Sequence, residues 1–215
     1  MSWENNFVIF DLETGGLRKK GWEPPITEIA MCFVSNDLQD IGEYSSLVKT
    51  YRDPSEYAPA ALQASNITLD MCNSLGQDRD IVLREIISNL KKLKVGSTKP
   101  ILVGHNIDAF DIPILDYFFE EAKEDISKYV ETKFTIDTLW WSRLRSPQLS
   151  NFKLGTVLES EQIDLTNAHR ALNDTRGNKD LFIKLMKSLR GQGGSSEVVS
   201  SNFRKSFKFE IKERK

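Results

Sequence analysis

Hydrophobic and polar positions change period several times along the chain, and each change marks an element. Residues 7–12 read Phe-Val-Ile-Phe-Asp-Leu, and Thr14-Gly15-Gly16 follows. A short apolar run closed by glycines predicts a buried strand. Residues 26–34 and 42–50 predict two more strands, with a turn at Ser35-Asn36-Asp37 between them. Helical spacing begins after Tyr57-Ala58-Pro59. It is clearest over 80–93, where Ile81, Ile86, Leu90 and Leu93 recur at helical intervals before Gly96-Ser97. A short strand over 101–103, closed by Gly104, precedes a helix over 109–123. A strand over 134–136 follows, then helices over 138–144, 152–158 and 171–189. Mixed strands and helices over this length suit one α/β domain followed by a tail.

Beyond Arg190 the pattern stops. Gly191-Gln192-Gly193-Gly194-Ser195-Ser196 has the composition of a flexible linker. The remainder carries six basic residues (Arg204, Lys205, Lys208, Lys212, Arg214, Lys215) against three acids (Glu197, Glu210, Glu213), so the tail is net +3. With −2 for the whole chain, the body before it is net −5. Phe207, Phe209 and Ile211 alternate with Lys208, Glu210 and Lys212, a period-2 pattern with one apolar face. The expected division is therefore a domain over 1–190 and a linker with basic tail over 191–215. That tail is either disordered or a strand that adds to a partner's sheet edge.

Within the body, carboxylates stand where hydrophobes are expected. Side chains two apart on a strand share a face. Asp11 and Glu13 thus point the same way as Phe7 and Ile9, from a strand that reads as central. In the helix over 109–123, Asp111 heads the apolar stripe of Ile114, Leu115, Phe118 and Ala122. In the last helix, Leu181 and Leu185 follow Asp174 by seven and eleven positions, nearly whole helical turns. Any one of these acids has an ordinary explanation as a turn or first-turn residue. Four facing inward together would repel, and burying them unpaired costs several kcal/mol each, to order of magnitude. A pair of hard divalent cations with oxygen ligands resolves both problems. Such a pair can activate a water and stabilise the leaving oxygen of a phosphodiester. His169, five residues before Asp174, cannot share a helix face with it. It is expected on the loop leading into the helix, where an imidazole can take a proton from that water; a surface or capping histidine is the plainer alternative.

Composition narrows the setting. With 40% apolar residues the chain can bury a core, and no apolar run reaches membrane-span length. The N-terminus lacks the features of a secretory signal. Cys32 and Cys72 form neither a metal spacing nor a disulfide framework, which suggests a reducing compartment, cytosol or nucleus. The pI near 5.8 counts against extended nucleic-acid binding. It counts weakly against a protein that neutralises its acids with cations and grips only a strand end.

The acids fall within three ordered motifs. Phe10-Asp11-Leu12-Glu13-Thr14-Gly15-Gly16-Leu17 resembles the first motif, Asp-x-Glu, of the DnaQ-like (DEDDh) 3′–5′ exonucleases. The run from Gly104 to Leu115, containing His105, Asn106, Phe110 and Asp111, resembles the second. His169-Arg170-Ala171-Leu172-Asn173-Asp174 resembles the third, His-x-Ala-x-x-Asp. The resemblance covers about residues 6–190. It implies an RNase H-like fold, a five-stranded mixed sheet flanked by helices. It also implies release of nucleoside 5′-monophosphates from 3′ ends with two Mg²⁺ or Mn²⁺. Asp11, Glu13, Asp111 and Asp174 would be the ligands and His169 the general base. Thr14, Leu17, Phe110, His105 and Asn106 would meet the substrate, Leu17 as an apolar wedge; for Phe110 core packing is an equal alternative. Three residues separate Asn106 from Phe110 where proofreading subunits have two. That spacing, with Asp108 inside and Pro113 after Asp111, is similar to the Trex-type branch. Thr-Gly-Gly-Leu stands where Thr-Thr-Gly-Leu is commoner.

Several other residues bear watching. Glu28 is either an acid near the site or a solvent-facing strand residue. Trp140 and Trp141 could stack bases, though one of two adjacent tryptophans is expected in the core. Asp137 is expected to cap a helix. Lys19, Lys20, Lys153 and Arg170 are candidates for phosphate contact. The functional expectation is an exonuclease on single-stranded or frayed DNA ends. The alternatives are an RNA-trimming enzyme, which no residue here separates from it, and an adaptor docking a polymerase or DNA-processing complex through its tail.

Overall fold

The computed structural model describes residues 4–164 and 170–191; His169 and residues 192–215 lie outside them. Five strands and seven α-helices follow one another. These are β1 (Phe7–Thr14), β2 (Ile26–Val34), β3 (Asp40–Leu47), α1 (Pro59–Ser65), α2 (Leu69–Leu75) and α3 (Arg79–Lys92). Then come β4 (Ile101–Gly104), α4 (Asp111–Glu121), β5 (Glu131–Asp137), α5 (Thr138–Arg145), α6 (Leu154–Ser160) and α7 (Ala171–Gly191). The strands form one mixed sheet in the order β3-β2-β1-β4-β5. β1 lies in the middle, antiparallel to β2 and parallel to β4. This is the five-stranded mixed sheet flanked by helices that the motifs imply.

The two faces of β1 explain its near-continuous apolar run. Val8, Phe10 and Leu12 enter a core shared with Val82, Ile86 and Leu90 of α3 and with Ile114, Leu115 and Phe118 of α4. Phe7 and Ile9 face the other way, against Phe182 and Met186 of α7. A strand covered by helices on both sides has no solvent face to alternate with. Asp11 and Glu13 extend the Phe7–Ile9 face, so they point toward the side that α7 covers.

Element ends moved by a few residues. β3 begins at Asp40 and ends at Leu47, and Val48 instead makes an isolated bridge to Gln77. α4 starts at Asp111, not at residue 109, because Asn106 takes a left-handed φ of 68° and Phe110 precedes the helix with φ −127°. Pro113 then falls in the first turn, where a missing N–H costs nothing. α6 runs two residues later than the apolar spacing predicts, and α7 continues to Gly191.

Candidate active site

β1 carries its two acids to the point where the chain leaves the sheet. Beyond them Thr14 turns its hydroxyl onto the Gly16 carbonyl (2.7 Å), so that hydroxyl is committed to the turn. Gly15 is held between strands and helices: its N–H donates to the Pro25 carbonyl and its carbonyl accepts from Ala58. A Cβ there would lie 2.8 Å from the Tyr57 ring, so glycine is required. This packing leaves Leu17 at the surface, 75% exposed. Arg18 pairs with Glu23 and donates to the Ala109 carbonyl (2.7 Å), tying the loop after β1 to the second motif.

Asp11, Glu13 and Asp174 each offer a carboxylate oxygen, and those three atoms lie within 4.8 Å of one another. α7 supplies Asp174 from its first turn, above the face of β1 that it covers. Asp111 is outside that set of three but adjoins it. Its Oδ1 accepts from the Leu12 backbone N–H at 3.2 Å, which fixes the start of α4 to β1 beside Asp11.

Burial and mutual repulsion dominate the electrostatics of these acids. Burial pushes the Asp11 carboxyl well above the usual range, and Asp111, Glu13 and Asp174 add to it in that order. Glu13 is pushed up to about 7 by burial and by Asp174 and Glu28, with Arg170 pulling the other way. Asp111 is also raised, chiefly by burial, against the lowering effect of its backbone hydrogen bonds. An all-oxygen donor set that resists ionising by itself, yet is held together by the fold, fits hard divalent cations.

Glu28 is not solvent-facing: it is 4% exposed, opposite Glu13 in the β1–β2 register. Its carboxylate accepts from Arg170 through both oxygens (Nη2 to Oε1 2.7 Å, Nε to Oε2 3.1 Å) and from the Ala171 N–H at 3.1 Å. It anchors the N-terminus of α7 to the sheet. The sequence offered one signal for this, an acid inside an otherwise wholly buried strand.

The second-motif residues divide. Phe110 is half-buried and packs on the α3–α4 core. His105 sits in a brace, Nδ1 3.0 Å from the Thr138 hydroxyl and Nε2 2.7 Å from the Phe152 carbonyl. Nε2 donates to that carbonyl, and burial pushes the imidazole below its ordinary pKa. With both nitrogens engaged, only the ring surface remains for a ligand. Asn106 gives its backbone N–H to Asp137 (2.8 Å), which also caps α5 through the Leu139 N–H. Trp141 is half-buried and packs against the core, and Trp140 is 56% exposed. Sequence reasoning passed over Trp22, which with Leu17, Gly16 and Ala61 lines a hollow of about 730 Å³ beside the loop after β1.

Comparison with known proteins identifies the family and the fold. The family model RNase_T, described as exonuclease, matches residues 8–182. The "DNA polymerase III PolC-type" of Oceanobacillus iheyensis is 29% identical over 201 residues, which cover 93% of this chain and 13% of that protein. The "3'-5' exonuclease DinG" of Staphylococcus haemolyticus is 27% identical over 179 residues, 83% of this chain and 18% of that protein. The chain therefore spans less than a fifth of either relative. Among solved structures, E. coli Exonuclease I in complex with a dT13 oligonucleotide has the same fold. Its TM-score is 0.72 at 19% identity, over 87% of this chain and 42% of that one. With the model spanning all three motifs, the chain belongs to the RNase_T family of DnaQ-like exonucleases, nuclease hydrolases by class.

Proposed function

We propose that the protein removes nucleotides one at a time from the 3′ ends of DNA, single-stranded or frayed, releasing nucleoside 5′-monophosphates. The observation that carries this reading is the convergence of Asp11, Glu13 and Asp174 within 4.8 Å, with Asp111 adjoining. Asp11, Glu13 and Asp174 would hold one divalent ion, and Asp11 with Asp111 a second, Mg²⁺ or Mn²⁺. When bound, the ions supply an activated water and offset charge on the leaving oxygen. His169, assigned from its motif, accepts the water's proton as the water oxygen bonds to phosphorus. The P–O3′ bond breaks, and the leaving oxygen takes a proton from solvent to become the 3′-hydroxyl of the shortened strand. Leu17, exposed in the loop after β1, wedges against the terminal bases, and Phe110 lines their pocket. DNA is favoured over RNA by the PolC-type relative. The active domain ends with α7, and residues 197–215, after the linker, offer a docking segment for a protein partner. The setting is cytoplasmic, or nuclear in a eukaryote.

A 5′-labelled oligonucleotide incubated with Mg²⁺ tests the reading. A ladder shortening stepwise from the 3′ end, absent in Asp11→Ala, is expected; intact DNA and intact RNA of the same length would overturn it. His169→Ala should keep Mn²⁺ binding by calorimetry and lose most turnover. Loss of the ion with rate retained would reverse those roles.

A further inference from the structure

A cleft of about 540 Å³ opens between the end of β4, α5 and the segment before α6, lined by Asn106, Arg143, Phe152 and Lys153 among others. We propose that this cleft binds single-stranded substrate upstream of the scissile bond, with a backbone phosphate between Arg143 and Lys153 and a base against Phe152 or Trp140. The inference rests on the exonuclease reading and extends it to where the strand runs.

Three observations carry it. First, the charge is uncommitted. Among the described residues no carboxylate pairs with Arg143 or Lys153, although both belong to a body of net charge −5. Two residues along the same helix, Arg145 is paired with Glu161 at 2.9 Å. Second, the Arg143 cation stands beside aromatic faces. The Arg143 guanidinium lies 4.8 Å from the centre of the Trp140 ring and 5.8 Å from that of Phe152. Basic groups interleaved with aromatic rings suit a single strand, whose bases stack and whose phosphates need counter-charge. Third, the cleft is built into the active-site framework. His105 holds the Phe152 carbonyl, Thr138 binds His105 and Asn178, and Asn178 is one helical turn beyond Asp174 on α7. Asn106, on the cleft wall, is five residues before Asp111. The carboxylates and their ions engage the terminal phosphodiester, so a cationic site at one remove fits a phosphate further along the same strand.

The test compares a long substrate with a short one on the full chain. Binding of an oligothymidylate of about ten nucleotides is read by fluorescence anisotropy with calcium in place of magnesium. Turnover is read on the p-nitrophenyl ester of thymidine 5′-monophosphate, which is too short to reach the cleft. In Arg143→Gln/Lys153→Gln, Kd for the oligonucleotide should rise about tenfold, as expected for loss of one stacked and charge-paired nucleotide. The slope of log affinity against log salt should fall by about 0.7, one phosphate contact on a single strand. The ester's kcat/KM should stay within about twofold. Arg143→Lys should keep the salt slope while losing part of the affinity, because an ammonium does not stack as a guanidinium does. Unchanged oligonucleotide binding, or an equal loss on both substrates, overturns the proposal. A wild-type chain that turns over neither substrate would instead sink the exonuclease reading, and the oligonucleotide Kd would still decide the cleft.

Discussion

Glu28 and Arg170, 142 residues apart in sequence, meet through two hydrogen bonds at the foot of α7. The pair spans the sheet and the third motif. Because Glu28 also takes the Ala171 N–H, its carboxylate satisfies one of the orphan donors of that helix end. The same charge opposes Glu13 and Asp11, so the sheet carries an acid that worsens the repulsion in the site while fixing the element that completes it.

The first prediction concerns that pair. Glu28→Gln keeps the shape and one acceptor but loses the charge facing Arg170. Arg170 is 41% exposed and solvent screens it, so the pair is worth less than a fully buried one. A loss of about 1–2 kcal/mol in urea unfolding is expected, mostly from weaker hydrogen bonding. Turnover should fall more than tenfold with KM little changed, since the position of Asp174 follows from how α7 begins. If turnover is untouched, Glu28 is only a structural anchor.

A second prediction follows from the raised carboxyls. Glu13 goes from its usual 4.5 to about 7 in the folded, metal-free protein. The folded state therefore binds the proton more tightly than the unfolded chain. Stability from this group is fully present below about 4.5 and is lost as pH rises through about 7. Asp11 and Asp111 act in the same direction. With chelator present, Tm should drop by several degrees between pH 5 and pH 8. Bound divalent ions need the ionised acids, so Mg²⁺ should raise Tm at pH 8 and do little at pH 5. A chelated protein more stable at pH 8 would contradict the cluster.

Asp11→Asn separates repulsion from ligation. It removes the acid that all of the other three act on while preserving volume. Metal-free Tm at pH 8 should rise by a few degrees relative to the parent chain. The Tm increment produced by Mg²⁺ should vanish, and 3′ cleavage should fall to background. A variant less stable than the parent in chelator would mean that Asp11 is held by hydrogen bonds that the cluster geometry does not show.

How much of this was legible beforehand depends on whether a signal was local. Asp11 and Glu13 stood out because period two placed them on the face of Phe7 and Ile9, and α7 does cover that face. Asp111 and Asp174 were legible by helical period. The Glu28–Arg170 contact was not, because nothing within β2 says which element packs over it. Arg143 was passed over for a similar reason. A basic residue on a helix reads as solvated until the loop carrying Phe152, pinned by His105, is known to close on it. The start of α4 was misplaced because the left-handed Asn106 and the non-helical Phe110 delay the helix, and periodicity cannot detect a single dihedral.

Two glycines should respond to alanine with opposite signs. At Gly104, which closes β4, an added Cβ would lie 1.8 Å from Ile107 Cγ2 and 3.1 Å from the Phe10 carbonyl. Ile107 is buried and the Phe10 carbonyl belongs to the central strand, so neither can yield cheaply. The substitution should cost about 3 kcal/mol by overpacking, and it should disturb the site, since Phe10 immediately precedes Asp11. At Gly155, in the first turn of α6, nothing lies within 4 Å and the backbone is helical. There the methyl lowers the entropy of the unfolded chain and meets no obstacle, so alanine should stabilise by about 0.5–1 kcal/mol. Urea unfolding of both variants reads the contrast directly. If Gly104→Ala folds with parental stability, the close approach of β4 to β1 is looser than these contacts require, and with it the shelf on which Asp11 stands.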